Sequence, residues 1–381
     1  MRFLFLSTHA FLPTTRKASV HFVTEALAAR GHEVDTISVG FSALTALKRP
    51  ELHAQLSAEQ RNRFVQTAPR RRSACYLPPL HPFSSKNGVL NGINALFFPL
   101  YGNLPPAFMK AAIRAADVVA VESGTAITFF DAVRRINPAA RTLYFKRDRL
   151  DTVGAATHLQ QLERRIAPLF DRVIVPSAAM AEGLPQESRI VAVPQGIDKV
   201  AFDACTTSPY AAGSRNGVSV GNMLFDADAV RAMATAKPDV FLHLFGAGIS
   251  GPFPPNVRLY GERAFADIVP YIRFADFGIA PYRLTERERY LAESSLKLQQ
   301  YAYCLLPVLV PEILGAGRGN LVGYAPAGEP DWAGKVEKAV ALPHDRAWRE
   351  GILSWDEVAA RIEDELADMR GNTRVAGDAA E

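Results

Sequence analysis

The sequence predicts an α/β protein built from two Rossmann-like domains, whose parallel sheets face a central cleft. Three observations predict this architecture. Strand and helix patterns alternate along most of the chain, the alternation is interrupted once, and 381 residues exceed what one ordinary core holds. With 48% hydrophobic and 22% charged residues, the composition is that of a globular protein.

The first half of the chain opens on a strand pattern at residues 2–7, followed by an amphipathic helix at 18–30 that Gly31 is placed to end. Further strand patterns lie at 33–39, 118–122, 142–145, 172–176 and 190–193, and further helices at 126–135 and 159–168. This alternation predicts a parallel sheet with helices on both faces. We assign residues 1–197 to the first domain.

Residues 198–216 are rich in small and polar residues without a sustained period, which predicts an interdomain linker. The alternation then restarts, with strands at 218–222, 240–245, 257–260, 277–281 and 308–310 and helices at 226–235, 264–274 and 294–303. We assign 217–345 to the second domain, and 346–381 to C-terminal helices with a polar tail.

Charge and cysteine content exclude several classes of function. A formal net charge of +4 gives no general polyanion signal, so we expect no nucleic-acid partner. The three cysteines lack paired spacing, which indicates no metal or disulfide framework and fits a reducing compartment. No apolar run approaches the ~18 residues of a membrane span, and the N-terminus is typical of a strand rather than a signal peptide. Basic clusters at 70–72 and 146–149 are either solvated faces or sites for phosphate or anionic lipid.

The segment from residue 280 to 303 carries the strongest chemical signal. A strand and a loop lead to a helix that Ser294 is expected to cap, so free backbone N–H groups and the positive end of the helix dipole are available to a diphosphate. Lys297 would add a positive charge, and Gln300 would reach a ribose hydroxyl. The alternative is a capped amphipathic helix with an exposed lysine.

Polar residues also follow three strand patterns of the first domain. Asp148 comes just after the strand at 142–145, where a carboxylate can take a proton from a hydroxyl, and neighbouring cations favour its ionised form. Glu122, beside Ser123 and Gly124, either orients a sugar or caps the next helix. His9 is either a catalytic or acceptor-site residue or a structural one. For Asp148 the alternative is an ion pair on a solvated loop.

The first turn of the second domain, residues 221–226, contains small residues that would let a ligand approach. It lacks the GxGxxG pattern, which disfavours a dinucleotide-dependent enzyme, and the chain lacks GxxxxGK[ST], which disfavours a P-loop kinase. Residues 246–248 give a weaker glycine signal. The strand exit at 260–262 is suited to contact a base edge through backbone groups.

Six segments together resemble the GumK-type glucuronosyltransferases, glycosyltransferase family 70. They are residues 121–124, 137–140, 221–226, 260–262, 277–282 and 290–301. The resemblance runs in order from Phe3 to about Val310, and the motifs are specific only when taken jointly. It implies the GT-B fold, in which the first domain binds the acceptor and the second binds the nucleotide sugar.

The resemblance also implies an activity. Such enzymes move glucuronic acid from UDP-glucuronate, with inversion and without a metal or other cofactor, to a polyprenyl-diphosphate-linked oligosaccharide. They do so peripherally at the inner face of the cell membrane, in exopolysaccharide biosynthesis. The family's catalytic base matches Asp148, which here is flanked by Arg147 and Arg149 where the family has Ser and Gly.

The resemblance further implies a UDP site in the second domain. Its positions match Met223, Glu262, Tyr282, Leu296, Lys297 and Gln300, to which the start of the helix adds Ser294 and Ser295. His9 and Glu122 are assigned to the acceptor side of the cleft.

The expected mechanism is a single in-line displacement, in which Asp148 deprotonates the acceptor hydroxyl while Lys297 and the helix N-terminus stabilise the leaving diphosphate. No pair of carboxylates suggests a metal. Two alternatives stay open: a retaining GT-B transferase that uses another nucleotide sugar, and a non-catalytic GT-B-like scaffold of a polysaccharide assembly complex. The product anomer distinguishes the first, and a UDP-release assay distinguishes the second.

Two further segments carry hypotheses. The apolar stretch at 81–108, including Phe97 and Phe98, is either a peripheral membrane anchor, with nearby charge from 70–72 and Lys86, or a helix packed on the first sheet. Arginines at 283, 287 and 289 either grip the carboxylate of a uronic acid donor or pair with Glu286 and Glu288.

Overall fold

The computed structural model describes residues 1–15, 17–84, 88–246, 248–315, 319–326 and 328–377. It divides the chain into two compact units. Unit 1 consists of Met1–Pro194 and the C-terminal segment that starts at Trp355, and unit 2 consists of Gln195–Ser354. No helix within the described ranges is long and apolar enough to cross a membrane.

In the described residues of unit 1, eight strands form one sheet. The strands are β1 (Arg2–Ser7), β2 (Glu33–Ser38), β3 (Val65–Ala68), β4 (Arg71–Cys75), β5 (Val118–Glu122), β6 (Arg141–Phe145), β7 (Arg172–Val175) and β8 (Ile190–Ala192). Their order is β3-β4-β2-β1-β5-β6-β7-β8, and neighbours run parallel except β3 and β4. The parallel strands follow the order typical of Rossmann folds. From β1 the chain first adds strands on one side of the sheet, β2 and β4, and then on the other side, starting with β5.

Helices cover this sheet because its central strands are apolar on both faces. Phe3, Leu4, Phe5 and Leu6 of β1 are all buried. The helices are α1 (Ser19–Ala29), α2 (Ala43–Lys48), α3 (Pro50–Glu59), α4 (Gly88–Asn103), α5 (Ala107–Ala115), α6 (Phe130–Ile136) and α7 (Thr157–Ile166). Gly31 ends α1 as expected, with φ +93°, because its left-handed backbone lets the His32 N–H return to the Leu27 carbonyl at 3.2 Å.

Unit 2 contains a six-stranded parallel sheet and a separate two-stranded pair among its described residues. The strands are β9 (Gly196–Ile197), β10 (Arg215–Val220), β11 (Val240–Phe245), β12 (Val257–Gly261), β13 (Phe277–Ile279), β14 (Val308–Pro311), β15 (Leu321–Tyr324) and β16 (Leu353–Ser354). The sheet order is β12-β11-β10-β13-β14-β15, so it reverses between β10 and β13, and β9 pairs with β16.

The helices of unit 2 lie on both faces of its sheet. They are α8 (Lys199–Ala204), α9 (Ala227–Ala236), α10 (Phe265–Phe274), α11 (Leu291–Ser294), α12 (Leu296–Tyr303) and α13 (Trp332–Ala341). One core joins α8, α10 and α12 to the sheet, and a second core joins α9 and α13. The predicted pair of Rossmann-like units is confirmed by these two sheets.

The domain boundaries differ from the expected ones. Residues 198–216 belong to unit 2, where Asp198 caps α8 by accepting from the Ala201 N–H at 3.0 Å and Phe202 is fully buried. A single phenylalanine among small and polar residues gives no periodic pattern, so the sequence did not predict that Phe202 lies in the core.

The C-terminal segment also divides differently. Residues up to Ser354 stay in unit 2, and the last helix, α14 (Trp355–Gly377), packs on α1 of unit 1. The rings of Phe22 and Trp355 stack 5.0 Å apart, and Arg30 binds Asp356 at 3.1 Å. These contacts join parts of the chain that are distant in sequence, so a local pattern did not predict them.

The basic cluster at 70–72 lies at the start of β4, and Arg71 and Arg72 are the first two residues of this strand. The sequence analysis did not predict this strand. The three arginines of the cluster form ion pairs with carboxylates of α1 and β2: Arg70 with Glu33 at 2.9 Å, Arg71 with Glu25 at 3.0 Å and Arg72 with Asp35 at 2.6 Å. These charges are therefore already compensated within unit 1.

Candidate active site

Each sheet has a switch point, which we define as the carboxyl end of the two strands where the strand order reverses. Ligands of open α/β sheets bind at this position, because the loops there leave toward opposite faces and open a crevice. In unit 1 the switch point lies between β1, which leads to His9, and β5, which ends at Glu122. In unit 2 it lies between β10 and β13, which lead to Met223 and Tyr282.

A buried carboxylate organises the switch point of unit 1. Glu122 is 3% exposed, accepts a hydrogen bond from the Ser7 hydroxyl and lies 3.6 Å from Nε2 of His9. The Ser7 hydroxyl in turn accepts from the His9 backbone N–H at 3.0 Å. Burial raises the pKa of Glu122, whereas His9 and the Ser7 hydrogen bond lower it. His9 is half-exposed, so this carboxylate–imidazole pair presents its ring to solvent.

Gly124 allows the loops after β1 and β5 to approach each other. Its φ is +103°, and a Cβ there would lie 3.3 Å from Cγ2 of Thr8. A larger residue would be strained in this conformation and would press on Thr8. Glycine at this place therefore keeps His9 close to Glu122.

The loop after β6 presents Asp148 beside these residues. The buried Ser123 hydroxyl accepts from the backbone N–H groups of Arg147 at 3.1 Å and Asp148 at 3.2 Å, which fixes the loop to the end of β5. The Asp148 side chain reaches solvent. Burial of its remaining surface raises its pKa, and the charges of His9, Lys146 and Arg147 lower it. A solvent-accessible carboxylate held by cations can accept a proton.

The cations of this loop have different environments. Lys146 is buried and binds Glu163 at 2.5 Å, and the Tyr144 hydroxyl donates to the same carboxylate. Arg149 binds Asp151 at 2.9 Å and Glu182 at 2.8 Å. Of the two alternatives for the basic cluster at 146–149, the solvated face is thus wrong for Lys146, because this lysine is buried and Glu163 compensates its charge inside the unit.

In unit 2 the N-cap of α12 is Ser295, one residue after the expected cap Ser294, and the preceding turn forms the separate helix α11. Ser294 is the last residue of α11, and its hydroxyl donates to the Tyr290 carbonyl at 3.0 Å. Ser295 is the N-cap of α12, but its hydroxyl makes no cap bond and pairs with the Tyr282 hydroxyl at 3.1 Å. The expected Ser294 cap is therefore wrong, because the bonding of its hydroxyl to the preceding turn removes it from that role.

The start of α12 gathers several predicted donor residues. Nζ of Lys297 lies 4.7 Å above the ring of Tyr282, and Tyr282 bonds Ser295. Leu296 is half-buried, whereas Gln300 is buried one turn later. Because Ser295 uses its hydroxyl elsewhere, the first N–H groups of α12 are not capped by that side chain and suit an anion.

Contacts with β10 hold α12 in place. The Tyr301 hydroxyl donates to the Val218 carbonyl at 3.1 Å and accepts from the Val220 N–H at 3.2 Å. Its ring covers Gly278 of β13, where a Cβ would lie only 2.5 Å from the ring. A glycine at 278 is therefore required for α12 to approach the sheet.

The turn after β10 completes this switch point. Gly221 has φ +86°, and Met223 is 53% exposed. Phe225 forms a bridge with Tyr282, and the Asp226 N–H donates to the Pro281 carbonyl at 2.7 Å, which ties this turn to the end of β13. Glu262 is exposed and follows β12, the edge strand, so it lies two strands from β10. Within 246–248, Ala247 lies outside the described residues.

The loop after β13 shows part of the expected pairing of arginines with Glu286 and Glu288, because Arg289 pairs with Glu286. Arg283 pairs with Asp226 at 3.2 Å and with Asp228, and Arg289 lies 3.9 Å from Glu286. Glu288 instead caps the loop by accepting from Thr285 at 2.7 Å. In the described part of the chain, no group of three or more His, Cys, Asp or Glu residues could hold a metal.

Comparison with known proteins shows the family to which this chain belongs. The model for the N-terminal domain of the glucuronosyltransferase GumK matches residues 5–176. Over 370 residues the chain is 33% identical to the UDP-glucuronate:glycolipid 2-beta-glucuronosyltransferase of Xanthomonas campestris pv. campestris, covering 96% of this chain and 90% of the relative. The chain belongs to the GumK glucuronosyltransferase family.

Solved structures support the fold of this GumK-family chain. Anabaena HepE in complex with UDP-glucose is 14% identical, with a TM-score of 0.60, and the match covers 97% of this chain and 100% of that one. A UDP-forming α,α-trehalose-phosphate synthase from Burkholderia vietnamiensis is 12% identical, with a TM-score of 0.59 and the same coverage of 97% and 100%. These likenesses confirm the predicted GT-B fold.

The sequence analysis missed several residues that shape the two switch points of this GumK-family chain. Ser7 and Glu163 support His9 and Lys146, and the pair of Gly278 and Tyr301 supports α12. Ser7 had one signal, since it is the polar residue that ends β1 directly after four apolar residues. The others depend on contacts between elements that are distant in the chain.

Proposed function

We propose that this chain transfers glucuronic acid from UDP-glucuronate to an oligosaccharide linked to a polyprenyl diphosphate, with inversion and without a metal or other cofactor. The observation that carries the proposal is the 33% identity to a UDP-glucuronate:glycolipid glucuronosyltransferase, which extends over 96% of this chain and hence over both units.

We assign the donor to the switch point of unit 2. The N-terminus of α12 and the charge of Lys297 would hold the diphosphate, with Tyr282, Ser294, Ser295 and Leu296 around it. Gln300 is assigned to the ribose, and Met223 and Glu262, at the ends of β10 and β12, to the remainder of the nucleoside. The donor is held through its diphosphate, and UDP is the leaving group when the sugar is transferred.

We assign the chemistry to the switch point of unit 1. Asp148 takes the proton of the acceptor hydroxyl as that oxygen forms a bond to the anomeric carbon, and the bond from that carbon to UDP breaks with its electron pair on the diphosphate. His9 and Glu122 line the acceptor side. One displacement inverts the anomeric configuration, and the proton on Asp148 passes to solvent.

The test is transfer from an equimolar mixture of UDP-glucuronate and UDP-glucose to a synthetic oligosaccharide on farnesyl diphosphate, in the presence of EDTA. We expect a glucuronosylated product with inverted configuration. Preference for UDP-glucose would overturn the donor, a retained configuration would overturn the displacement, and loss of activity in EDTA would overturn the metal-independent assignment.

We further propose that the protein attaches to the inner face of the cell membrane through an apolar face of α4. This face consists of exposed residues that share one side of the segment: Val89, Leu90, Leu96, Phe97, Leu100 and Leu104. Asn94, Phe98 and Tyr101 on the other side are buried in unit 1, and residues 88–109 contain no charged residue. Such a segment suits insertion into the acyl boundary of a bilayer.

The exposure of the two phenylalanines decides which of them can be replaced to test this attachment. Phe98 is fully buried, whereas Phe97 is 48% exposed, so replacing Phe98 would damage the core. Arg70–72 are paired within unit 1, and Lys86 lies outside the described residues. We expect the double variant Phe97→Ser, Leu100→Ser to stay folded and to lose sedimentation with phosphatidylglycerol liposomes. Leu47→Ser, at a still more exposed leucine of α2, should sediment like the wild type. Retained sedimentation of the double variant would place the attachment elsewhere.

A further inference from the structure

Three aromatic rings lie together near the ends of β2 and β4, and the proposed reaction has no role for them. We call Tyr76, Tyr101 and Phe129 the aromatic cluster. The rings of Tyr76 and Tyr101 stack 5.2 Å apart with an angle of 20° between their planes, and Phe129 meets Tyr101 edge-on at 5.0 Å. Tyr101 and Phe129 are buried, whereas Tyr76 is half-buried. Tyr76 is therefore the member of the cluster that reaches solvent.

The aromatic cluster lies at the same edge of the sheet as the acceptor-side residues. Tyr76 directly follows β4, and its N–H donates to the carbonyl of Ser38, the last residue of β2, at 2.9 Å. Ser38 pairs in register with Ser7, the last residue of β1, and these strands are parallel. Because neighbouring strands are about 4.8 Å apart, the ends of β4 and β1 are roughly 10 Å apart. Tyr76 and His9 thus belong to one surface of unit 1.

Close contacts between loops make this surface continuous. The Tyr101 hydroxyl accepts from the N–H of Gly40, which follows β2, at 3.0 Å. A Cβ at Gly40 would lie 3.8 Å from Cβ of Thr125, the residue after Gly124, and Gly124 approaches Thr8. The loops after β1, β2 and β5 therefore connect the aromatic cluster to the switch point of unit 1.

The cluster also contacts the helix that carries the proposed membrane face. Tyr101 is a buried residue of α4, and the exposed side of α4 carries the apolar residues of that face. α4 packs tightly on the segment after β5, since a Cβ at Gly102 would lie only 2.0 Å from the carbonyl oxygen of Thr128. An acceptor with its reacting sugar at His9 and its lipid at α4 would thus pass the aromatic cluster.

The chemistry of an exposed tyrosine ring suits a sugar. A sugar ring carries C–H groups on its faces and hydroxyls around its rim, and the negative face of an aromatic ring attracts such C–H groups. Ligand sites commonly combine aromatic rings with a few polar groups in this way. The distance of roughly 10 Å between the strand ends exceeds one sugar ring, so the cluster would meet a different ring from the one that reacts.

We propose that Tyr76 packs against the second sugar of the acceptor oligosaccharide, on the lipid side of the sugar that receives the glucuronate. This inference rests on the proposed function and adds to it an acceptor subsite. It also explains a selectivity that the reaction itself does not require, which is a preference for an oligosaccharide over a single sugar on the same lipid.

The test measures acceptor affinity by calorimetry without a donor, in the full-length wild type, Tyr76→Leu, Tyr76→Phe and Phe22→Leu. The probes are trisaccharides of glucose, mannose or galactose on farnesyl diphosphate, of which the one that the wild type binds best is used. The comparison probe is a single sugar of the same kind on the same lipid. Leucine keeps an apolar side chain beside Tyr101 but removes the ring, and phenylalanine keeps the ring.

Tyr76→Leu should weaken binding of the trisaccharide roughly 10-fold, the effect of losing part of an aromatic contact surface, and leave the single sugar almost unchanged. Tyr76→Phe should lose much less, because it keeps the stacking ring. Phe22→Leu is the matched control, since Phe22 is also a half-buried ring stacked on a buried one, Trp355, and should bind both probes like the wild type. The UDP affinity of all three variants should match that of the wild type.

Several results would overturn the inference. They are unchanged trisaccharide binding in Tyr76→Leu, an equal loss for both probes, or a loss in Tyr76→Phe as large as in Tyr76→Leu. A second measurement needs no variant. Saturation-transfer NMR on the wild type, with the aromatic protons irradiated, should label the ring next to the terminal sugar, and labelling of the terminal ring alone would contradict the subsite.

The proposed function fails separately. None of these binding measurements contains a donor, so a wrong donor assignment would appear only in the competition between UDP-glucuronate and UDP-glucose. A wild type that binds no member of the trisaccharide panel would contradict both the oligosaccharide acceptor and the subsite at Tyr76.

Discussion

The two switch points have the same strand topology but different chemistry. In unit 1 the loops carry a buried carboxylate, an imidazole, an exposed carboxylate and an unpaired guanidinium. In unit 2 the corresponding place is built from a turn at Gly221, the ring of Tyr282 and the start of α12, with Lys297 as the cation beside the ring. In open α/β sheets the topology sets the place of a binding site, and the loop residues set its chemistry. The proposed function assigns proton transfer to the residues of unit 1 and the diphosphate to those of unit 2.

The largest effect is expected from a variant that removes only the proton acceptor. Asp148→Asn should reduce transfer by roughly 10²–10⁴-fold, because an amide cannot act as the base. Asp151→Asn is the matched control in the same loop, since Asp151 pairs with Arg149 and has no assigned role in the reaction. The measurement is initial rate under saturating donor. Near-wild-type turnover of the Asp148 variant would mean that the base is elsewhere.

A second change disturbs only the donor side. Gly278→Ala should displace Tyr301 and α12, since the added Cβ would lie 2.5 Å from the ring. We expect unfolding free energy to fall by about 1–3 kcal/mol, as for other overpacked sites, and UDP affinity to fall with it. Gly92→Ala adds the same methyl where nothing lies within 4 Å. Thermal unfolding and UDP titration check both, and an unaffected Gly278 variant would show that α12 does not depend on this contact.

A smaller change concerns pH. Asp148 acts as a base only when ionised, and the charge of His9 lowers its pKa. His9→Gln removes that charge, so the pKa of Asp148 should rise and the acidic limb of the kcat/KM profile should move to higher pH. Arg147 and Lys146 also lower this pKa and remain in the variant. An acidic limb that stays at the same pH would show that His9 does not affect the ionisation of Asp148.

The sequence predicted elements whose signals are local. β1 and β5 appear as buried apolar runs, Gly31 ends α1, and the alternation of strands and helices indicates two parallel sheets. Residues that end strands, such as His9, Glu122 and Asp148, were located by the same rule. The sequence could not show that Glu122 contacts His9, because that contact joins residues separated by more than one hundred positions.

Errors arose where a tertiary contact overrides a local pattern. Ser294 is a good capping residue by type, yet its hydroxyl bonds the turn before it and Ser295 takes the cap position. Phe97 and Phe98 are adjacent in sequence, but one is exposed and the other is buried. The three cations between residues 146 and 149 look alike in sequence, and only burial and partners distinguish Arg147 from Lys146 and Arg149.

The most direct test of this division of roles is calorimetric titration of UDP into the wild type, Lys297→Ala, Lys338→Ala and Asp148→Asn. Lys297→Ala should weaken binding by about 1.5–3 kcal/mol, because it loses a charged hydrogen bond to the diphosphate. Lys338→Ala, on the exposed side of α13, and Asp148→Asn should bind UDP like the wild type. An unchanged affinity in Lys297→Ala, or an equal loss in Asp148→Asn, would contradict the assignment of the diphosphate to unit 2 and of the base to unit 1.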